Sequence, residues 1–252
     1  MIVKALQGMV SSAYLRSCQR CNDWSGQRVA RLRPQALLDV GCADGSFLFK
    51  YLDYRPQIFC GVEAAPELKK QAEARGIQVR AVDLNGVWPY EDNSFEVIHC
   101  AQVIEHLHNT RLFAAEILRV LKPGGWAFIT SENLTSFLNT GAMLMGYTPF
   151  TLMRCCGWYM GNPLGLHSGE HVPEGVPITD PAFAGVTGHV RALSVLQAQE
   201  LFEKVGFANV RASSIGLIPL PDWLGRSLES LMYRRGHLLL IEAQKPLSPG
   251  KN

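Results

Sequence analysis

Between Ala36 and Thr130 this chain alternates between two kinds of segment. Ala36–Val40, Ile58–Val62, Ile77–Val82, Phe95–Cys100 and Trp126–Thr130 are short β-rich apolar runs, and the intervals between them leave room for a helix each. Strand, helix, strand at that spacing implies a parallel sheet with helices on both faces. The helices carry their own punctuation. Pro66 suits a first helical turn, and Gly76 closes the Glu67–Arg75 segment. Asn109 can cap a helix bearing Leu112, Phe113, Ile117, Val120 and Leu121 at helical spacing, with Pro123-Gly124-Gly125 expected to stop it. Ser194 and Gln197 make a capping-box pattern ahead of Leu201, Phe202 and Val205, with Gly206 as terminator. Two further strands, Ala208–Ser213 and His237–Ile241, finish the series.

At 252 residues the chain can bury a full core as one large domain, so we read 1–252 as one unit with an N-terminal helical segment over 1–34. Its seven cysteines are odd in number and irregularly spaced, which fits reduced thiols and a cytoplasmic setting. Cys18 and Cys21 form a C-x-x-C, but no second pair at ligand spacing accompanies it, so no metal is assigned there. No window approaches the roughly 18 consecutive apolar residues of a membrane span, and the N-terminus lacks the pattern of a secretory signal. Net charge is only +2, yet Lys4, Arg16, Arg20, Arg28, Arg31 and Arg33 face Asp23 alone before Pro34. Such a segment can attract an anionic partner, or can be a solvated helix face carrying arginines over apolar packing.

The stretch from Asn133 to Gly188 breaks the rhythm. Its first part is rich in aromatic residues and methionine and is compatible with helix; its second, from Gly161, carries prolines and glycines without a period. A loop that long inside a compact domain is usually functional or disordered. We read residues 133–190 as a lid inserted over a site.

In a parallel α/β sheet, ligands bind outside the carboxyl ends of the strands where strand order reverses. There stands Gly41-Cys42-Ala43-Asp44-Gly45, whose glycines permit a tight turn and close backbone approach. A helix starting near Ser46 would offer free N–H groups to an anion. The spacing is G-x-x-x-G rather than the G-x-G-x-x-G of a dinucleotide site, which argues against a nicotinamide dehydrogenase. Glu63 closes the second run, where a carboxylate can take both hydroxyls of a ribose. Asp83 closes the third, where it can take an adenine amino group beside the Leu84 N–H.

"LLDVGCADGSF", "GVEAAPE", "VDLNGVWPYEDNSFEVIHCAQVIEHL" and "LKPGGWAFIT" together resemble the successive motifs of class I S-adenosylmethionine-dependent methyltransferases, the small-molecule methyltransferases of type 11 among them. The resemblance runs from about Leu37 to Thr130. It implies a Rossmann-like, doubly wound, mostly parallel sheet of seven strands, the last antiparallel and inserted between the fifth and sixth, with the lid falling between strands five and six. S-adenosylmethionine is the implied cofactor. Its implied contacts are Asp39, Gly41, Cys42, Ala43, Asp44 and Gly45 around the methionine portion, with Glu63, Ala64, Asp83, Leu84, Ala101 and Gln102 around the remainder. Asp39 or Asp44 is expected near the amino group. Ala43 stands where the family has its middle loop glycine.

Methyl transfer needs a nucleophile about 3 Å from carbon, exclusion of water and a place for the proton. Candidates follow the fourth run: His99, Gln102, Glu105, His106 and His108. Gln102, Glu105 and His106 have the spacing of one helical face. "QVIEH" resembles the E-x-x-E-H of two metal-assisted O-methyltransferase groups, those making ubiquinone and those capping small RNAs at the terminal 2′-hydroxyl; Gln102 replaces the first carboxylate, which weakens hard-cation binding. We therefore name no metal ligands and expect His106, His189 and Glu105 to carry catalysis, one histidine as general base. His167 and His171, in an irregular loop, receive no role. The expected acceptor is a hydroxyl or amine of a small or lipid-linked molecule. An RNA 2′-hydroxyl is the second reading, and an inactive S-adenosylmethionine-binding protein the third.

Overall fold

The computed structural model describes residues 2–152, 154–155, 158–159 and 188–247. Seven strands form one sheet: β1 (Ala36–Val40), β2 (Ile58–Val62), β3 (Gln78–Arg80), β4 (Phe95–Ala101), β5 (Leu121–Glu132), β8 (Ala208–Ile215) and β9 (Leu238–Gln244), in the order β3-β2-β1-β4-β5-β9-β8. The first five are mutually parallel, while β9 runs antiparallel to both β5 and β8 between them. The antiparallel last strand thus lies between the fifth and sixth strands of the sheet, as expected. Strand order reverses between β1 and β4, which places the crevice of a doubly wound sheet at their carboxyl ends.

The central strands are buried on both faces, which is why β1 reads as a nearly unbroken apolar run. On one side α4 (Thr110–Val120) and α6 (Val195–Val205) cover them, burying Phe113, Ile117, Val120, Ala198 and Phe202. Each of these except Ala198 contributes about 1.5–3 kcal/mol on burial. Both expected caps form: Asn109 accepts from the Leu112 N–H, Ser194 accepts from the Gln197 N–H, and Gly206 ends α6 at φ +113°. α3 (Pro66–Ala74) begins at its proline.

Two boundary expectations are corrected. Helix α4 ends at Val120, before Pro123-Gly124-Gly125, and that tripeptide sits inside β5, where the pairing with β4 is irregular. The third strand is only three residues long, so Asp83 and Leu84 occupy the turn beyond it instead of its last position. The Gly86 N–H donates to the Asp83 carbonyl at 3.0 Å in that turn.

Helix α1 (Ile2–Leu32) packs through a seam of mostly small residues: Ala13, Ser17, Cys21, Ser25 and Val29 are buried at four-residue spacing. Close approach is required there, since a Cβ on Gly26 would fall 2.3 Å from the Tyr51 ring and one on Gly216 would fall 2.6 Å from Ser17 Oγ. Two of its arginines are ties: Arg20 pairs with Glu229, and Arg28 Nε donates to Glu242 at 2.8 Å. The N-terminal cationic segment is therefore in part structural.

After β5 the chain forms α5 (Phe137–Leu144), capped by Ser136, then a 3₁₀ turn at Phe150–Leu152 and the hairpin β6 (Arg154–Cys155) and β7 (Trp158–Tyr159). The aromatic part of the insertion is thus partly helix and partly hairpin. The expected irregular stretch, with His167 and His171, lies outside the described residues. The chain returns at Gly188, and Leu193 pairs with Asn133 beside β5.

Candidate active site

The loop after β1 alternates into left-handed backbone at Gly41 (φ +75°), Ala43 (φ +48°) and Gly45 (φ +75°). Glycine is dictated at the outer two positions. A Cβ on Gly41 would meet Val103 Cγ2 at 2.5 Å, and one on Gly45 would meet Ile77 Cδ1 at 2.6 Å. The loop is anchored by Gly41 and Cys42 N–H groups donating to the Val62 carbonyl at 2.9 and 3.0 Å. Gly61 is small for the same reason, because a Cβ there would stand 2.7 Å from Cys42 Sγ. Burial, then the charges of Asp39 and Glu63, push the Cys42 thiol up, so it stays protonated and packs as an apolar group.

Glu63 is held by this loop. Its Oε2 accepts from the Ala43 N–H at 3.0 Å and its Oε1 from the Ala65 N–H at 2.8 Å. Each carboxylate oxygen has two lone pairs, so both can still accept from a vicinal diol. Asp83 is oriented by Asn85, whose N–H donates to it at 2.9 Å and whose own Oδ1 accepts from the His108 and Asn109 N–H groups. A cleft of about 500 Å³ is lined by Ala64, Asp83, Leu84, His106, Leu107 and Gly188. Glycine cradle, oriented diol acceptor and adjacent cleft of mixed polarity are a fit for an adenosine-bearing cofactor.

The two aspartates expected near its amino group are engaged elsewhere. Asp39 is buried, with Oδ1 2.7 Å from His99 Nδ1, while His99 Nε2 lies 3.2 Å from Ser25 Oγ and its ring stacks on Phe47. Asp44 accepts from Ser46, which pulls its carboxyl below the ordinary range, and pairs with Arg75 at 2.9 Å. The helix beyond it, α2 (Ser46–Phe49), is a single turn.

Downstream of β4 the geometry also departs from a simple helical face. Gln102 follows Ala101 at φ +55°, its N–H donating to the Thr130 carbonyl, and only Ile104–His106 form a 3₁₀ turn. The Glu105 carbonyl accepts from the N–H groups of Val190 and Arg191 at 3.0 and 3.2 Å, which docks the returning chain and sets His189 against His106. Their ring centroids are 4.9 Å apart at 74°. His106 Nδ1 donates to the Gly188 carbonyl at 3.1 Å and His189 Nδ1 to the Thr151 carbonyl at 2.8 Å. A carbonyl only accepts, so in each neutral ring the lone pair is on Nε2. The Glu105 carboxylate is buried and accepts from Ser131 Oγ at 3.0 Å.

A second cleft, of about 280 Å³, is lined by Gln102, Glu105, His106 and His189, together with Glu132 and, from α1, Tyr14, Cys18, Cys21 and Asn22. His106 lines both clefts. One donor atom each from Glu105, His106 and His189 lie within 4.8 Å of one another, a set able to hold a cation. His99, within β4, is buried against Asp39, and His108 lines the first cleft.

The family model described as a methyltransferase domain matches residues 38–129, the span that carries the glycine loop, Glu63, Asp83 and His106. Over that span the chain is similar to class I S-adenosylmethionine-dependent methyltransferases. The cradle described above fits S-adenosylmethionine, the cofactor that this similarity implies. Among curated relatives, an uncharacterized methyltransferase of Schizosaccharomyces pombe is 30% identical over 113 residues, 40% of this chain and 41% of that one. A ubiquinone biosynthesis O-methyltransferase of Bordetella avium is 23% identical over 155 residues, 59% of this chain and 60% of that protein. The chain spans about half the length of the curated relatives it matches. In fold it is similar to a Thermotoga maritima methyltransferase described as a possible histamine N-methyltransferase, with TM-score 0.54 and 16% identity over 88% of both chains.

Sequence reasoning missed Glu132 and the α1 face. Glu132 ends β5, buried, with Oε2 3.6 Å from His189 Nδ1 and Oε1 4.0 Å from His237 Nε2. An acidic residue closing an apolar strand on the ligand side of the sheet was the available signal.

Proposed function

We propose that this methyltransferase transfers the methyl group of S-adenosylmethionine to a hydroxyl, or an amine, of a small-molecule or lipid-linked acceptor seated in the cleft between α1 and the ends of β4 and β5. The observation that carries this reading is the position of His106, shared by the cofactor-side and acceptor-side clefts. A sulfonium methyl supplies the electrophile when the cofactor is bound. Glu63 and Asp83 hold the nucleoside end, and the Gly41–Gly45 loop fixes the rest by backbone contact. His106 or His189, its Nδ1 tied to a carbonyl, receives the acceptor proton on Nε2. From the described start of the insertion, the Thr151 carbonyl orients His189 beside the acceptor.

The test is a pair of variants, His106→Ala and His189→Ala. Transfer of labelled methyl to a responsive acceptor should fall about 10²–10⁴-fold in at least one of them. Affinity for S-adenosylhomocysteine should stay within about twofold, some 0.4 kcal/mol. Undiminished transfer in both variants would remove the general-base assignment.

The 4.8 Å grouping of Glu105, His106 and His189 favours a second reading, in which these residues hold a divalent cation that polarises the acceptor oxygen. In that case a chelator abolishes transfer and added Mn²⁺ restores it, whereas a metal-free general base is indifferent to both.

A further inference from the structure

Three segments outside the residues matched by the family model meet at one small buried cluster. Val10 and Ala13 come from α1, Leu138 and Ala142 from α5, and Ile218 from the turn before α7 (Asp222–Leu228). Around this cluster large apolar side chains stand in solvent. Met143, Leu144 and Met145 close α5, with Leu144 84% exposed; Trp223 in α7 is 74% exposed and Leu231, just beyond that helix, 76%. Single exposed apolar residues are ordinary, whereas a group of them around one rim marks a contact surface. The rim is tied together by backbone. The Phe137 N–H donates to the Arg235 carbonyl at 3.0 Å and Thr135 Oγ1 to the Arg234 carbonyl at 3.2 Å, which sets both arginines at the start of α5.

The rim is also cationic. Residues 1–22, 133–152 and 216–237 carry six Lys and Arg against two Asp and Glu, an excess of four in a chain whose net charge is +2, so the remainder is net negative. Both acids are engaged: Asp222 pairs with Arg226 and Glu229 with Arg20. Arg234 and Arg235 are exposed, and among the described residues neither joins an ion pair; Arg234 Nε donates to the Tyr233 hydroxyl at 2.8 Å and Arg235 to the Thr135 carbonyl at 3.3 Å. A guanidinium keeps its charge at every working pH, so this balance does not turn on titration. Apolar side chains with tryptophan, tyrosine and arginine beside them match the boundary between acyl chains and anionic headgroups. No described helix is long and apolar enough to cross a membrane, so the described residues offer a surface contact rather than a span.

We propose that the ends of α5 and α7, with Arg234 and Arg235, form a docking surface for an anionic lipid bilayer. Leu144, Met145, Trp223 and Leu231 enter the headgroup region, and the two arginines meet lipid phosphates. This surface adjoins the acceptor cleft, because Tyr14 lines that cleft and also packs against the buried cluster beneath the rim. Docking therefore brings the cleft beside the bilayer, from which a lipid-linked acceptor can reach it. That link rests on reading the cleft as the acceptor pocket; the docking itself does not.

The test is co-flotation of the 252-residue chain with vesicles of phosphatidylcholine and phosphatidylglycerol, alongside vesicles of phosphatidylcholine alone. The chain should float with the anionic vesicles at least about tenfold better than with the neutral ones, and raised salt should release it. Arg234→Gln and Arg235→Gln should each weaken the partition about fivefold, and Leu144→Ser about tenfold. Tryptophan emission should shift to the blue on anionic vesicles, and Trp223→Phe should lose that shift. Circular dichroism melting checks the fold of each variant. Wild-type protein that does not float with anionic vesicles, or floats equally with neutral ones, overturns the proposal whatever the variants do. So does concentration-dependent dimerisation that shifts Trp223 emission without vesicles, which assigns the rim to a second copy of this chain. No acceptor or methyl transfer enters these measurements, so their failure is distinct from a failure of the His106 and His189 assay.

Discussion

The two sides of the site are built differently. On the cofactor side, a loop of five residues, Glu63 and Asp83 are fixed mainly by backbone: positive φ at Gly41, Ala43 and Gly45, and N–H donors on Glu63. On the proposed acceptor side, Cys18, Glu105, Glu132 and His189 come from four separate stretches and meet only through tertiary packing. The difference teaches that the first function depends on local conformation, and the second on how α1 and the returning chain dock.

Substitutions should therefore break the two sides in different ways. The largest effect is expected from Gly41→Val, which combines a β-branched residue at φ +75° with a Cβ 2.5 Å from Val103 Cγ2. Backbone strain of about 1–3 kcal/mol and overpacking of about 1–3 kcal/mol should together lower the urea midpoint strongly and remove cofactor binding. His189→Ala loses one hydrogen bond to the Thr151 carbonyl, so its stability cost should be about 0.5–1.5 kcal/mol by the same urea measurement. Smallest is Ala43→Gly. Relief of left-handed strain, roughly 1–2 kcal/mol, is offset by about 0.4–1 kcal/mol of added unfolded-chain entropy. A gain near 0.5 kcal/mol, with unchanged cofactor affinity, would confirm that the alanine there is a tolerated strain. A loss of affinity would show that its methyl group packs on the ligand.

This contrast also explains what could be read from the sequence. Ala36–Val40 and Ile58–Val62 were legible to the residue, because parallel strands buried on both faces leave an apolar run between polar turns. The caps at Asn109 and Ser194 were legible because capping is a local hydrogen bond. The stop of α4 was not, since tertiary pairing with β4 drew Leu121 into a strand before Pro123 acted. Within the candidate site, Glu63 and His106 could be proposed from their neighbours in sequence. Glu132 and the Tyr14, Cys18, Asn22 face could not, because their role depends on docking across more than a hundred residues. Nor did the sequence show that Asp39 Oδ1 lies 2.7 Å from His99 Nδ1, a pairing across sixty residues.

The central claim is that the cofactor is held by the ends of β1, β2 and β3, independently of the histidines. Its most direct test is calorimetric titration of S-adenosylhomocysteine into the wild-type protein, Glu63→Ala and Asp83→Ala, with NAD as control. We predict saturable binding to the wild type, none of NAD, and a loss of about 1–3 kcal/mol in each variant as hydrogen bonds to the nucleoside disappear. Equal affinity in all three proteins would contradict this placement of the cofactor and with it the division of the site into two halves.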